Sequence, residues 1–214
     1  MVTPSPSLKT AVAILATAPI PGVAKTQLIP SIGEQAAAFL QERLTDRAVT
    51  TALSAEVGRI TLWGAPDSSH DTFLSMVARK PITLRPQPPG DLGARMLAAA
   101  SAAQGPVLVI GTSCPALTPR HLRGAAKALQ DGAEVVLIPT ENGGYALIGL
   151  QRAEPSLFAQ IPWGTPRVRA ETHARIIAAR LVLNEFPPLW DVETKDDLAR
   201  MLREVPELAL TANG

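Results

Sequence analysis

Seven short runs of aliphatic and β-branched residues alternate with longer Ala- and Leu-rich stretches at helical spacing along this 214-residue chain. Strands followed by crossover helices produce this rhythm, so it predicts an α/β domain: a three-layer αβα arrangement around a mostly parallel sheet. The expected strands are 11–17, 59–63, 82–85, 107–110, 134–138, 145–150 and 181–184. Helices are expected over 33–54, 69–78, 91–103, 119–130, 165–179 and 194–204. In the first of these, Ala37, Leu40, Leu44, Ala48 and Ala52 form a core-facing stripe, and Ser31 is placed to cap it. The reading takes 10–205 as one domain, between a flexible N-terminus (1–9) and a C-terminal tail (206–214).

The composition agrees. Apolar residues make up 46% of the chain and aromatics only 4%, as a sheet covered by Ala-rich helices requires. Twenty basic against nineteen acidic residues leave a formal charge of +1, so no global field draws the chain to nucleic acid or to an anionic membrane. A bound anion must be held locally. Cys114 stands alone, which excludes an intramolecular disulfide and a Cys-based zinc site. The apolar run from Ala11 to Ala16 is too short to span a bilayer, and the expected location is the cytoplasm.

Candidate chemistry collects at the turns that follow strands, where open parallel sheets bind ligands. After the first strand comes APIPGVAKTQL (18–28), a loop stiffened by prolines and ending in Lys25 and Thr26. It can direct amides and one compact positive charge at phosphate, although it is no Walker loop. The run QPPGDLGARM (87–96) opens a helix with Gly90 and Gly93, which allow close backbone approach; Asp91 serves there as a cap or a ligand, and Arg95 as a solvated cation or an anion partner. GTSCPALTP (111–119) places Thr112, Ser113 and Cys114 after a wholly apolar strand, but no nucleophile elbow surrounds them, which argues against a hydrolase. PTENGGYALIG (139–149) joins two strands through Asn142, Gly143 and Gly144, either as a tight turn or as a place where a substrate approaches the backbone. In WDVETKDDL (190–198), Asp191 and Glu193 alternate ahead of a helix that Thr194 can cap, so an extended segment turns both carboxylates to one side, where they can hold Mg²⁺ against phosphates.

In this order the motifs resemble a bacterial family of glycosyltransferase-A-type proteins labelled radical-SAM/selenodomain-associated transferase 1. Its pattern runs APxPGxxKTRL, GDLGxRM, GTDCPxLT, DGGYxLIGL, IPWGTP and DVDTxxDL, and the likeness spans about 11–198. The family is similar in turn to the nucleotidyltransferases that handle phospholactate or molybdopterin, within the nucleotide-diphospho-sugar transferase superfamily. The resemblance implies a nucleotidyl- or glycosyltransferase that takes a nucleoside triphosphate or nucleotide-sugar, with Mg²⁺ or Mn²⁺ and a small-molecule acceptor. It implies nucleotide contacts from Ala18, Pro19, Gly22, Lys25, Thr26, Gln87, Gly90, Asp91 and Arg95, with Lys25 and Asp191 catalytic. Asp191 and Glu193 would be metal ligands, and Ser113, Asn142, Gly143, Gly144, Tyr145 and Trp163 would shape the acceptor pocket. The chain departs from the pattern at Gln27 (usually Arg), Ser113 (usually Asp) and Asn142 (usually Asp). Each departure removes a charge, which leaves two alternatives: a silent nucleotide or metabolite binder on the same fold, and a non-catalytic interaction module.

Overall fold

The computed structural model describes residues 9–208. Seven strands form one sheet in the order β3-β2-β1-β4-β6-β5-β7, from β1 (Ala11–Thr17), β2 (Ile60–Ala65), β3 (Thr83–Pro86), β4 (Val107–Ile110), β5 (Val135–Pro139), β6 (Tyr145–Leu150) and β7 (Leu183–Glu185). All pairings are parallel except those of β6, which runs against both β4 and β5. The helices are α1 (Ile29–Ile32), α2 (Glu34–Ala55), α3 (Asp71–Arg79), α4 (Leu92–Ala102), α5 (Pro119–Gln130), α6 (Val168–Ala178) and α7 (Lys195–Glu204). Among the described residues no helix is long and apolar enough to cross a membrane.

Alternation along the strands sends side chains to two faces, and both are covered, which is why the central strands read as unbroken apolar runs. On one face Val12, Ile14, Leu62, Leu108, Ile110, Val136 and Ile138 pack against residues of α2, α3 and α5, including Val49, Phe73 and Leu122. On the other, Ala13, Leu15, Trp63, Val109, Leu137 and Ile148 meet Met96, Ala99 and Ile176 of α4 and α6. All seven expected strands and six expected helices form, with ends shifted by a few residues. Ser31 does not cap α2: it lies inside the short α1, and the N-cap is Gly33 at φ +80°, with no side-chain bond.

A third apolar cluster positions the functional loops. Leu28 from the loop after β1, Leu40 and Leu44 of α2, Trp190 and Val192, and Leu198 and Met201 of α7 pack together, with Val205 and Leu208 completing the group. The segments on either side of this cluster are the phosphate-loop candidate and the acidic 190–193 stretch, which are 166 residues apart between Lys25 and Asp191 in sequence but share one support.

Candidate functional site at the carboxyl edge of the sheet

The loop after β1 turns at Lys25, whose backbone takes the left-handed conformation (φ 48°) ahead of a single 3₁₀ turn. That twist sends the side chain inward. Its ammonium is 4% exposed and donates to Ser113 Oγ at 2.6 Å, the Val192 carbonyl at 2.7 Å and Glu193 Oε1 at 3.2 Å. An ammonium has three protons, so Lys25 is fully partnered and ties the β1 loop, the turn after β4 and the acidic segment into one unit. Ser113 accepts from Lys25, which leaves its own O–H free to donate.

The Asn142 hairpin forms the next wall. Asn142 Oδ1 accepts from Thr140 Oγ1 at 2.7 Å and from the Gly144 N–H at 3.1 Å. These donors fix the amide's orientation and turn its Nδ2 toward Asp191, 3.1 and 2.9 Å from the two carboxylate oxygens. Burial and then the nearby Glu193 carboxylate push the Asp191 carboxyl above its ordinary range, against the pull of the Asn142 bond and the Lys25 charge. Gly143 sits at φ +89°, and a Cβ there would lie 2.2 Å from the Pro166 carbonyl oxygen. A glycine at 143 therefore lets the hairpin close against the 161–166 loop.

Between these walls lies a cavity of about 480 Å³ lined by Asn142, Gly144, Tyr145, Trp163, Asp191 and Glu193, together with Gln27, Leu92, Thr140, Gly164, Thr165, Pro166, Val168 and Thr194. Four of the six expected acceptor-pocket residues and both expected metal ligands thus border one space. Gly143 backs it through Pro166, and Ser113 and Lys25 do not line it but connect to it through the Lys25–Glu193 bond. Tyr145 and Trp163 meet edge to face, with centroids 6.4 Å apart. Trp163 is seated on α4 at Gly93, where an added Cβ would come within 2.7 Å of Nε1 and 2.6 Å of the Phe158 carbonyl oxygen.

The expected nucleotide side is arranged differently. Gln87 donates its amide to the carbonyls of Ala16 (3.0 Å) and Trp63 (2.8 Å), clamping the ends of β1 and β2, and only its Oε1 remains, facing Arg95 Nη1 at 3.5 Å. Asp91 caps α4, accepting from the Ala94 N–H at 2.8 Å. Arg95 Nε donates to the Gly90 carbonyl. Ala18 and Pro19 are buried, while Gly22 and Thr26 are exposed at the loop's outer turn. Leu92, Thr140 and Val168 were not singled out by sequence; only their closeness to the 87–96 and 139–149 motifs and to the IPWGTP loop pointed their way.

The family described as uncharacterised protein conserved in bacteria (DUF2064) matches residues 48–165, more than half of the chain. The chain belongs to the DUF2064 family. Among solved structures, this DUF2064 member is similar to a candidate nucleotide-diphospho-sugar transferase from Desulfovibrio desulfuricans, with a TM-score of 0.80 and 24% identity over 92% of this chain and 89% of that one. A nucleotidyl transferase from Methanothermobacter superposes with a TM-score of 0.63 at 16% identity, covering 94% and 99% of the two chains. A Mycobacterium tuberculosis protein solved with manganese gives 0.56 at 15%, covering 92% and 100%. The DUF2064 chain has the nucleotide-diphospho-sugar transferase fold. No curated protein matches it in sequence.

Proposed function

We propose that the protein is a transferase that takes a nucleoside triphosphate or nucleotide-sugar at the carboxyl edge of its sheet and passes a nucleotidyl or glycosyl group to a small acceptor in the cavity. The observation that carries this reading is the convergence on Lys25: three loops distant in sequence meet at one buried ammonium, which is paired with Glu193, and Glu193 and Asp191 border a ligand-sized cavity. The fold's relatives support the class, since the Methanothermobacter protein is a nucleotidyl transferase.

Asp191 and Glu193 fit a divalent cation that arrives with phosphates. Mg²⁺ is usually held by one or two carboxylates plus phosphate oxygens, and a cation would favour the ionised form of Asp191, which burial and then the Glu193 carboxylate oppose. Ser113 and Asn142 add no further charge; among the described residues no three His, Cys, Asp or Glu side chains group as a metal cage. When bound, such a cation would offset phosphate charge. The chain's own part is to position the reactants and stabilise charge: Lys25 supplies a fixed positive centre, the Ser113 hydroxyl a donor, and the Asn142 hairpin a rigid wall.

Thermal melting of the whole protein against nucleoside triphosphates and nucleotide-sugars, with and without Mg²⁺ or Mn²⁺, tests this, because a ligand that binds only the folded state raises its stability. A shift that needs both nucleotide and metal supports the transferase. The neutral Ser113 and Asn142, each engaged by a charged neighbour, favour one second reading, a nucleotide binder without turnover, and a shift indifferent to metal would support that instead. No shift across the panel would sink both.

A further inference from the structure

Among the residues that line the cavity there are two carboxylates, Asp191 and Glu193, and no lysine, arginine or histidine. Lys25, the neighbouring cation, is not part of the lining and has all three protons engaged, one of them by Glu193 itself. We propose that the acceptor is an uncharged or positively charged molecule with a flat apolar body, and that phosphorylated and carboxylated acceptors are rejected. The proposal rests on the cavity being the acceptor's seat.

Two features support it independently. The first is charge: Lys25 offsets part of the Glu193 charge through their ion pair, but an anion entering beside Asp191 and Glu193 still meets like charge and no cationic side chain in the lining, whereas an ammonium or hydroxyl finds acceptors. A divalent cation carried in with the nucleotide would offset these carboxylates and can itself attract an anion, so the preference is expected to be strongest without metal. The second is shape: Tyr145 and Trp163 present ring surfaces set at 87° to each other, and Leu92 and Val168 extend the apolar wall. Rings bordered by carboxylates suit an aromatic or aliphatic amine or alcohol, since a cation gains from the ring faces as well as from the acids. The cavity volume of about 480 Å³ accommodates a ring with a short side chain.

The test is isothermal titration of the full chain with four matched probes: phenethylamine, 2-phenylethanol, phenylacetate and phenyl phosphate, each with and without nucleotide and Mn²⁺. The amine and the alcohol should bind at least about tenfold more tightly than either anion, a factor that one unscreened surface-range charge contact supplies. Asp191→Asn and, separately, Glu193→Gln should narrow the gap between amine and anions, and circular dichroism would check that both variants fold. Equal or tighter binding of an anion, or binding of none of the four, overturns the proposal. A nucleotide-dependent melting shift that survives such a failure leaves the transferase reading standing. Probe selectivity without any nucleotide shift would instead remove the cavity's assignment as an acceptor site.

Discussion

The side-chain amide of Asn142 spans both oxygens of Asp191, at 3.1 and 2.9 Å, and it can do so only because Thr140 and Gly144 hold its own oxygen on the other side. Asn142→Asp keeps the acceptor for those two donors but replaces the amide with a second carboxylate beside Asp191. Without cations the variant should lose about 1–2 kcal/mol, as expected when an exposed donor to a carboxylate is replaced by a like charge that water partly screens. Mn²⁺ should restore that stability in the variant and change the parent far less. Melting in chelator against Mn²⁺ measures both; a variant blind to metal would mean that the position does not face the cation site.

Asp191→Asn should separate stability from function. A carboxyl whose folded pKa is raised above its unfolded value favours folding when protonated and loses that advantage as pH rises through the folded pKa. At neutral pH the parent therefore carries an unfavourable charge that the amide removes. The ligand-free variant should melt at the same temperature or higher, while nucleotide- and metal-dependent stabilisation drops at least tenfold in apparent affinity. A clear fall in ligand-free stability would contradict this.

Lys25→Met retains the stem and deletes the charge. It leaves Glu193, which is one-third exposed, and Ser113 without their shared donor. Losing one partner of a partly buried, hydrogen-bonded pair should cost about 2–3 kcal/mol, below the full buried-pair penalty because water reaches Glu193. Urea denaturation reads the cost, and nucleotide titration should show weaker binding in the same variant.

Gly93→Ala should act on the cavity through Trp163. The added methyl collides with the Phe158 carbonyl and the indole, so the 158–163 loop must shift. A loss of about 1–3 kcal/mol is expected from overpacking, with altered Trp fluorescence and weakened binding of cavity ligands. Gly132→Ala is the control: its φ of +109° strains the backbone, yet nothing lies within 4 Å of the new Cβ, so stability falls without effect on the cavity.

Cys114 should be inert. Burial pushes its thiol up to about 12, so at pH 7–9 almost none is thiolate, the form that reacts. Alkylation by iodoacetamide should be far slower in the folded protein than in urea, with no acceleration between pH 7 and 9 beyond that of the reagent's background. Rapid labelling of folded protein would contradict the buried thiol.

Strand positions and the apolar faces were legible because burial on both faces leaves unbroken aliphatic runs, as at Val107–Ile110, and because helical stripes such as Leu40 and Leu44 repeat with the helix period. The cavity's rim was legible in part, since turns after strands carry polar and glycine-rich motifs. What sequence could not show was direction. The inward turn of Lys25 depends on a left-handed backbone that nothing in its side chain requires, and the engagement of Gln87 with two carbonyls depends on where β1 and β2 end. Ser31 failed as a cap because a local helical turn at Ile29–Ile32 competed for it.

One strand runs opposite to the rest of the sheet, and that reversal makes one wall of the cavity modular. Because β6 begins where its neighbours finish, Tyr145 reaches the ligand edge from a hairpin of five residues, 140–144, with no crossover helix behind it. Lengthening or exchanging that hairpin alters what the site admits while the order of strands, the helices and the Lys25 junction stay as they are. On the proposed reading, related chains can diverge in what they accept by editing a few consecutive codons, with the rest of the fold left untouched.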